Sequence, residues 1–327
     1  MRTELTNKLP VGSDQLVLKW GESYSQLSAN AELYVQKGYE SNYLCAYEHE
    51  TLAGGVLFFI KKRRFFSFLS RIVSTAPFSA NNSEIVLNLL AKELKSQIQK
   101  KAPLYNLIEP STTSIAAKFL NNAGFGAMPK ATILLDLRKT QEDLFNSLDK
   151  DARWGVNKAK KLGLHISEAQ TIEEWREFYD IYTKTCAKDK ISPMPFNELN
   201  ALKELFADKG FGQLFIVKSK DKLIAGSLIF VFRDKSLHII NASLQEFLAM
   251  QPNNLLYWHM IEFSKSKKVS YFDLGGYALN ARAGTPVQGI NAFKARWGGQ
   301  IIKGKIFTTF PLYFKLVRIM KWFEVIR

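Results

Sequence analysis

The run from Tyr271 to Gly299, YFDLGGYALNARAGTPVQGINAFKARWGG, holds the residues in this chain best suited to chemistry. Tyr271-Phe272-Asp273-Leu274 reads as a short buried strand, and Gly275-Gly276 ends it in a turn. Further along, one lysine, Lys294, stands between Phe293 and Ala295, just before Gly298-Gly299. Glycine has no Cβ, so a strand that stops at Gly-Gly lets backbone amides approach a ligand closely. A lysine held near that opening can place positive charge where an acyl-transfer intermediate develops negative charge. The sequence shows no obvious nucleophile or metal cluster beside these residues, which points to a transferase that works mainly by positioning.

The elements that must position them come from a chain of 327 residues. That length suits two domains of roughly 150 residues each. Hydrophobic residues make up 46% and charged residues 23%, so each half can fold as an ordinary globule. Forty-five Lys and Arg against 30 Asp and Glu give a formal net charge of +15. Such an excess favours an anionic partner (nucleic acid, nucleotide phosphate or an acidic membrane face), with an unspecialised basic surface as the plainer alternative.

Cys45 and Cys186 stand far apart with no metal spacing, which suits free thiols in a reducing compartment. His49, His165, His238 and His259 form no ligand group, so neither a metal nor a cofactor is expected. The N-terminal MRTELTNKLPVGSDQ is polar and lacks an apolar signal core, and no apolar run reaches 18 residues. The expected location is the cytoplasm.

Strand-like and helix-like runs alternate. Tyr43–Tyr47 and Gly54–Ile60 read as a hairpin around Glu48-His49-Glu50. Glu84–Lys100 places Ile85, Leu89, Leu90, Leu94 and Ile98 at helical spacing. Leu104–Ile108 is a strand, Ile115–Asn122 a helix stopped by Gly124, and Ala131–Leu137 a strand. The second half repeats the order. Gln213–Lys218 and Leu223–Phe232 form a hairpin, Leu237–Ala242 a strand, Asn254–Lys265 a helix, and Tyr271–Leu274 a strand. This weak internal repeat divides the chain into domains over 1–139 and 140–327, with no Pro- or Gly-rich linker between them.

A linking helix is expected over 140–162. Thr140 is its N-cap, acidic residues fill its first turn, and Gly163 ends it. Phe145, Leu148, Ala152, Val156 and Ala159 form its apolar stripe. Lys150, Arg153, Asn157, Lys160 and Lys161 fall beside that stripe, where they could hold phosphates, with Arg153 the residue suited to a two-bond fork. A solvated helix face is the competing reading of the same row.

These residues carry a resemblance. Leu144–Gly163, LFNSLDKDARWGVNKAKKLG, resembles the arginine-to-glycine helix of the FemABX family, aminoacyl-tRNA-dependent peptidyltransferases that build peptidoglycan precursors. Met250–Ile261, MQPNNLLYWHMI, resembles the segment after that family's central strand, and Pro311-Leu312-Tyr313 resembles the way many members end. Tyr271–Gly276 and Phe293-Lys294 with Gly298-Gly299 resemble its C-terminal motifs in order and spacing. The likeness runs from about Tyr43 onward and is strongest from Thr140 to Lys305.

The resemblance implies an α+β fold of two tandem GNAT-like domains, each a mixed, mostly antiparallel sheet flanked by helices. It implies that Lys294 and Asp273 are catalytic residues, Lys294 near the aminoacyl ester. The alternative role of Asp273 is to brace the turn by accepting backbone N–H bonds. Arg153, Asn157, Lys160, Tyr271, Gly275, Gly276 and Phe293 are implied substrate-binding residues. The implied partners are an aminoacyl-tRNA donor and a peptidoglycan-type acceptor, lipid-linked forms included. The long helical arm of several members is missing here: Thr171–Ala187 and Asn197–Asp208 read as two ordinary helices.

Thioester-dependent GNAT enzymes use a glycine-rich loop whose N–H groups cradle a pyrophosphate at a helix N-terminus. The equivalent Gln251-Pro252-Asn253-Asn254-Leu255-Leu256 has no glycine, and Pro252 has no N–H. Two other readings stay open: an N- or O-acyltransferase using a thioester in surface-polysaccharide or lipid synthesis, and a non-catalytic basic RNA-binding protein. The tail Phe310–Arg327, FPLYFKLVRIMKWFEVIR, is aromatic and basic. It either packs on the second domain or makes peripheral contact with the cytoplasmic face of the membrane.

Overall fold

A computed structural model describes residues 1–63, 70–101 and 104–312. The chain forms two compact units, one of Met1–Lys130 with the segment from Lys303, the other of Ala131–Ile302. Both ends of this division differ from the expected domains. Ala131 onward belongs to the second unit because the strand it opens bonds to Tyr271–Gly276. The segment after Ile302 belongs to the first because Phe307 pairs with Ile108. The tail beyond Leu312 lies outside the described residues, so neither reading of it is addressed.

The first unit begins with three elements that the sequence reading passed over: β1 (Arg2–Thr6), α1 (Ser13–Trp20) and α2 (Ser28–Gln36). β2 (Glu40–Glu48) and β3 (Thr51–Lys61) form the expected hairpin. There follow β4 (Arg71–Ser74), β5 (Phe78–Ser79), α3 (Glu84–Lys100), β6 (Tyr105–Ile108), α4 (Ala116–Asn122) and β7 (Gly126–Asp136), which enters the second unit. The α3 stripe keeps the expected Leu90, Leu94 and Ile98 but is completed by Val86, Leu87 and Ala91 in place of Ile85 and Leu89. Val86, Leu87, Leu90, Ala91, Leu94 and Ile98 are buried, while Ile85 faces solvent. Both sets satisfy helical spacing, and the sheet against which α3 packs selects the edge of the stripe that is buried.

The second unit continues with α5 (Gln141–Ser147), α6 (Lys150–Lys161), β8 (His165–Glu168), α7 (Ile172–Lys188) and α8 (Phe196–Leu202). Then come β9 (Gly212–Ser219), β10 (Lys222–Phe232), β11 (Lys235–Ser243), α9 (Pro252–Ser266), β12 (Tyr271–Gly276), α10 (Pro286–Ala295) and β13 (Gln300–Thr308), which returns to the first unit. The sheet order here is β7-β12-β11-β10-β9-β8. All its pairings are antiparallel except β11 with β12. β10 is buried along nearly its whole length, as a central strand covered on both faces must be. α9 packs on β9, β10 and β11, and α6 packs on α9.

The single helix expected over 140–162 is two. Thr140 caps α5 as read, its Oγ1 accepting from Asp143 N at 3.0 Å. Leu148 then turns extended and Asp149 caps a new helix, its carboxylate accepting from Asp151 N at 2.8 Å. The expected stripe survives the break: Leu148, Ala152, Val156 and Ala159 are buried in the core of this unit. Among the described residues, no helix is long and apolar enough to cross a membrane.

Candidate active site

The parallel ladder between β11 and β12 covers only Lys235–Leu237 against Tyr271–Asp273, and then stops. β12 runs on through Gly275 and Gly276, so these glycines lie within the strand rather than in a turn after it. Its register against β7 slips between Asp273 and Gly276. Gly275 takes φ +81° at the slip, a left-handed conformation that favours glycine. The Asp273 carboxylate fixes the irregularity: it accepts from Gly275 N at 2.8 Å and from the Thr132 hydroxyl on β7. Asp273 thus braces the corner.

Lys294 reaches this corner from α10. Thr285 caps that helix, Pro286 starts it with a preset φ, and Lys294 lies in its last turn. The residue is only 8% exposed. Its Nζ donates to Gly276 O at 2.9 Å, and a Cβ added at Gly275 would stand 3.4 Å from it. Burial pulls the ammonium below the usual lysine range, and the Asp273 charge works against that pull. Asn291, one turn earlier, holds the loop after β12 by exchanging two hydrogen bonds with the Ala278 backbone, at 3.1 and 2.8 Å.

An aromatic group lines the same corner. Tyr257 on α9 stacks on Trp297 and meets Phe293 edge-on. Its hydroxyl lies 3.4 Å from His238 Nδ1 on β11. Burial, and then the Lys294 charge, push His238 down to about 3, so its ring is neutral at physiological pH. Burial likewise raises Tyr257 above the ordinary phenol range. Lys294 therefore sits beside aromatic and imidazole groups held neutral by burial, with Asp273 the nearby opposing charge, in a setting where charges act more strongly than in water.

The start of α9 is closed. Gln251 holds φ +63°, Pro252 has no N–H, and Asn254 and Leu255 donate to Gln251 O at 3.1 and 3.3 Å. Asn254 is buried against Gly155 of α6: a Cβ there would fall 1.7 Å from Asn254 Nδ2. A helix end that lacks one N–H at Pro252, turns those of Asn254 and Leu255 to Gln251 O and is packed by Asn254 against Gly155 is poorly formed to cradle a pyrophosphate.

The structure gathers some of the expected residues and scatters others. Lys294, Asp273, Gly275, Gly276 and Phe293 share the corner. Tyr271 opens β12 at its far end, where Arg138 lies over its ring at 5.3 Å. Asn157 and Lys160 are exposed on α6. Arg153 turns back on the chain, its Nη1 donating at 2.6 Å to both Asn146 O and Leu148 O, which ties off the end of α5. Sequence reasoning missed Thr132, His238, Tyr257 and Trp297. Tyr257 had a local signal, since it falls one helical turn after Asn253 on the face that carries polar residues toward β11.

Residues 146–294 match the model of the acetyltransferase (GNAT) domain. No curated protein sequence shows a significant match. Among solved structures the chain is similar to FemX, with 16% identity over 98% of this chain and 99% of that one and a TM-score of 0.78. It is also similar to L-PGS from Bacillus licheniformis, with 13% identity over 95% and 96% of the two chains and a TM-score of 0.63. A third likeness is to the C-terminal domain of a putative lysylphosphatidylglycerol synthetase from Agrobacterium fabrum, with 11% identity over 91% and 90% and a TM-score of 0.60. The fold is therefore the GNAT-like α+β fold expected, similar to that of FemX, and the acetyltransferase-domain match over residues 146–294 supports an acyltransferase.

Proposed function

We propose that this FemABX-like member of the GNAT superfamily transfers an amino acid from aminoacyl-tRNA to an amine of a peptidoglycan-type precursor, lipid-linked forms included. The observation that carries the reading is the buried Lys294 ammonium, aimed at the end of β12 and held by a backbone carbonyl. Aminolysis of an ester needs the amine placed against the carbonyl and the resulting oxyanion stabilised. The amine nitrogen forms the new bond to the acyl carbon and gives up a proton to a neighbouring substrate group or water, the charge collects on the carbonyl oxygen, and the ester C–O bond breaks as the carbonyl reforms, the departing tRNA oxygen taking up a proton to leave as its hydroxyl. Lys294 serves the oxyanion. Asp273, Thr132 and Gly275 serve Lys294 by fixing the carbonyl on which it rests. Arg153, Asn157 and Lys160 remain the proposed contacts to acceptor phosphates, with Arg153 offering Nη2 and Nε beyond its two backbone bonds.

The closed α9 start supports an RNA-borne donor over coenzyme A. The match to a GNAT acetyltransferase domain favours the thioester as the alternative donor. Labelled aminoacyl-tRNAs and acyl-CoAs, each offered with soluble and lipid-linked muropeptide acceptors, separate the two. The expected result is labelled product from aminoacyl-tRNA alone. Product from acyl-CoA alone would overturn the proposal.

A further inference from the structure

Helix α6 spends one face on the core. Ala152, Val156 and Ala159 are buried, and Gly155 lies against Asn254. The opposite face carries Lys150, Trp154, Asn157 and Lys161 at spacings of four, three and four, with Lys158 beside them. Trp154 is 56% exposed, and the Lys158 ammonium stands over its ring at 4.7 Å. A tryptophan left in water on a helix whose apolar positions are already filled contributes little to the fold.

The face also has a direction. The start of α6 is fixed to the end of α10, the helix that carries Lys294: Asp149 N donates to Arg296 O at 3.0 Å, and Arg296 pairs with Asp151 at 3.7 Å. From there the cations and the indole run along about 18 Å of helix, at 1.5 Å per residue.

We infer that this outer face of α6 is a docking strip for single-stranded RNA, with Trp154 stacking on an unpaired base and Lys150, Lys158 and Lys161 meeting backbone phosphates. An aromatic ring set among cations is the standard means of holding a single strand without reading its sequence. The net charge of +15 supplies the long-range attraction. A bilayer is the poorer fit. A helix lying in a membrane buries a continuous apolar face, and here the outward apolar residues are Trp154 and Leu162, two turns apart with lysines between them. The inference rests on the aminoacyl-tRNA reading for its place in the reaction, since it brings a single-stranded end toward Lys294.

The test uses the full chain, a synthetic RNA hairpin with a single-stranded 3′ end, the same hairpin made blunt, and vesicles of anionic phospholipid. Trp154→Ala weakens binding of the overhanging hairpin about tenfold, the scale of one base stacked on an aromatic ring. Trp154→Phe keeps most of it, and neither change alters binding of the blunt hairpin. Replacing Lys150, Lys158 and Lys161 together by Ala lowers the salt slope of binding by about 2, from roughly 0.7 per phosphate contact to a single strand. Unchanged affinity of Trp154→Ala for the overhanging hairpin overturns the inference, as does a loss seen only with vesicles.

Transfer assays on the same proteins keep the two readings apart. If aminoacyl-tRNA is used but Trp154→Ala binds it normally, this strip fails and the proposed function stands. If aminoacyl-tRNA is never used but Trp154→Ala loses the overhang, the strip stands and the proposed function fails.

Discussion

Replacing Lys294 by methionine separates the charge of this side chain from its volume. The wild-type ammonium is buried, donates to Gly276 O at 2.9 Å, and is held below the ordinary lysine range by that burial. Methionine keeps a flexible, unbranched chain of similar reach and removes the charge. Two effects on stability oppose each other. Gly276 O loses a charge-assisted bond, worth about 1.5–3 kcal/mol, while the desolvation cost of a buried cation disappears. The net change is expected within about 1 kcal/mol, a small shift in melting temperature. Catalysis has no such offset: losing an oxyanion donor costs about 3–4 kcal/mol, or 10²–10³ in turnover.

The pH dependence carries its own sign. A lysine depressed in the folded state costs stability in full below its folded pKa, where both states are protonated. As pH climbs from there toward the ordinary lysine value, the unfolded chain binds more protons and stability rises. Wild type is expected to show this rise and Lys294→Met to lack it. Single-turnover transfer at saturating donor, with thermal melts across alkaline pH, checks all three. Turnover within tenfold of wild type, or a melting loss large enough to account for the lost activity, refutes the argument.

Arg153→Ala removes both bonds that tie off α5, at Asn146 O and Leu148 O. A loss of about 1–3 kcal/mol in denaturant unfolding is expected, whether or not acceptor is present; an unchanged midpoint with a raised acceptor KM would give this guanidinium to the substrate alone. Gly155→Ala places a methyl where Asn254 Nδ2 now lies, so α6 or the start of α9 must shift. Overpacking of this kind costs about 1–3 kcal/mol, and a wild-type melting curve would show that the contact yields freely.

What could be read from the chain was local. Lys294, Gly275 and Gly276 were legible because a glycine pair and a helix-borne lysine each leave a signature within a few residues. The break at Leu148–Asp149 was also written locally, in an aspartate followed by helix formers, but the apolar stripe runs across it and a continuous period reads as one helix. Thr132 could not be found this way. It meets Asp273 across a separation of 141 residues, and only strand pairing brings the two together. The unit boundary failed for the same reason: β7 and β13 are assigned by the strands they bond to, which local composition does not record. Arg153 shows a local partner that its charge alone does not announce. Its charge suggested a phosphate, while the nearest unsatisfied acceptors were the carbonyls at the end of its own preceding helix.

The choice of partner for Lys294 is what leaves it able to act. A buried lysine paired directly with a carboxylate forms a neutral unit, and an incoming oxyanion or phosphate would have to compete with that carboxylate. Here the nearby carboxylate is engaged elsewhere, since Asp273 accepts from Gly275 N and Thr132 Oγ1, and the ammonium rests on the Gly276 carbonyl. A carbonyl orients a cation without cancelling its charge. Asp273 still favours the protonated state through space, and His238 and Tyr257 nearby are held neutral by burial. The corner therefore keeps a buried lysine whose charge Asp273 offsets only through space, at a cost in folding energy. Binding of an anion recovers that cost, which is the energetic basis for placing the reacting carbonyl oxygen at Lys294.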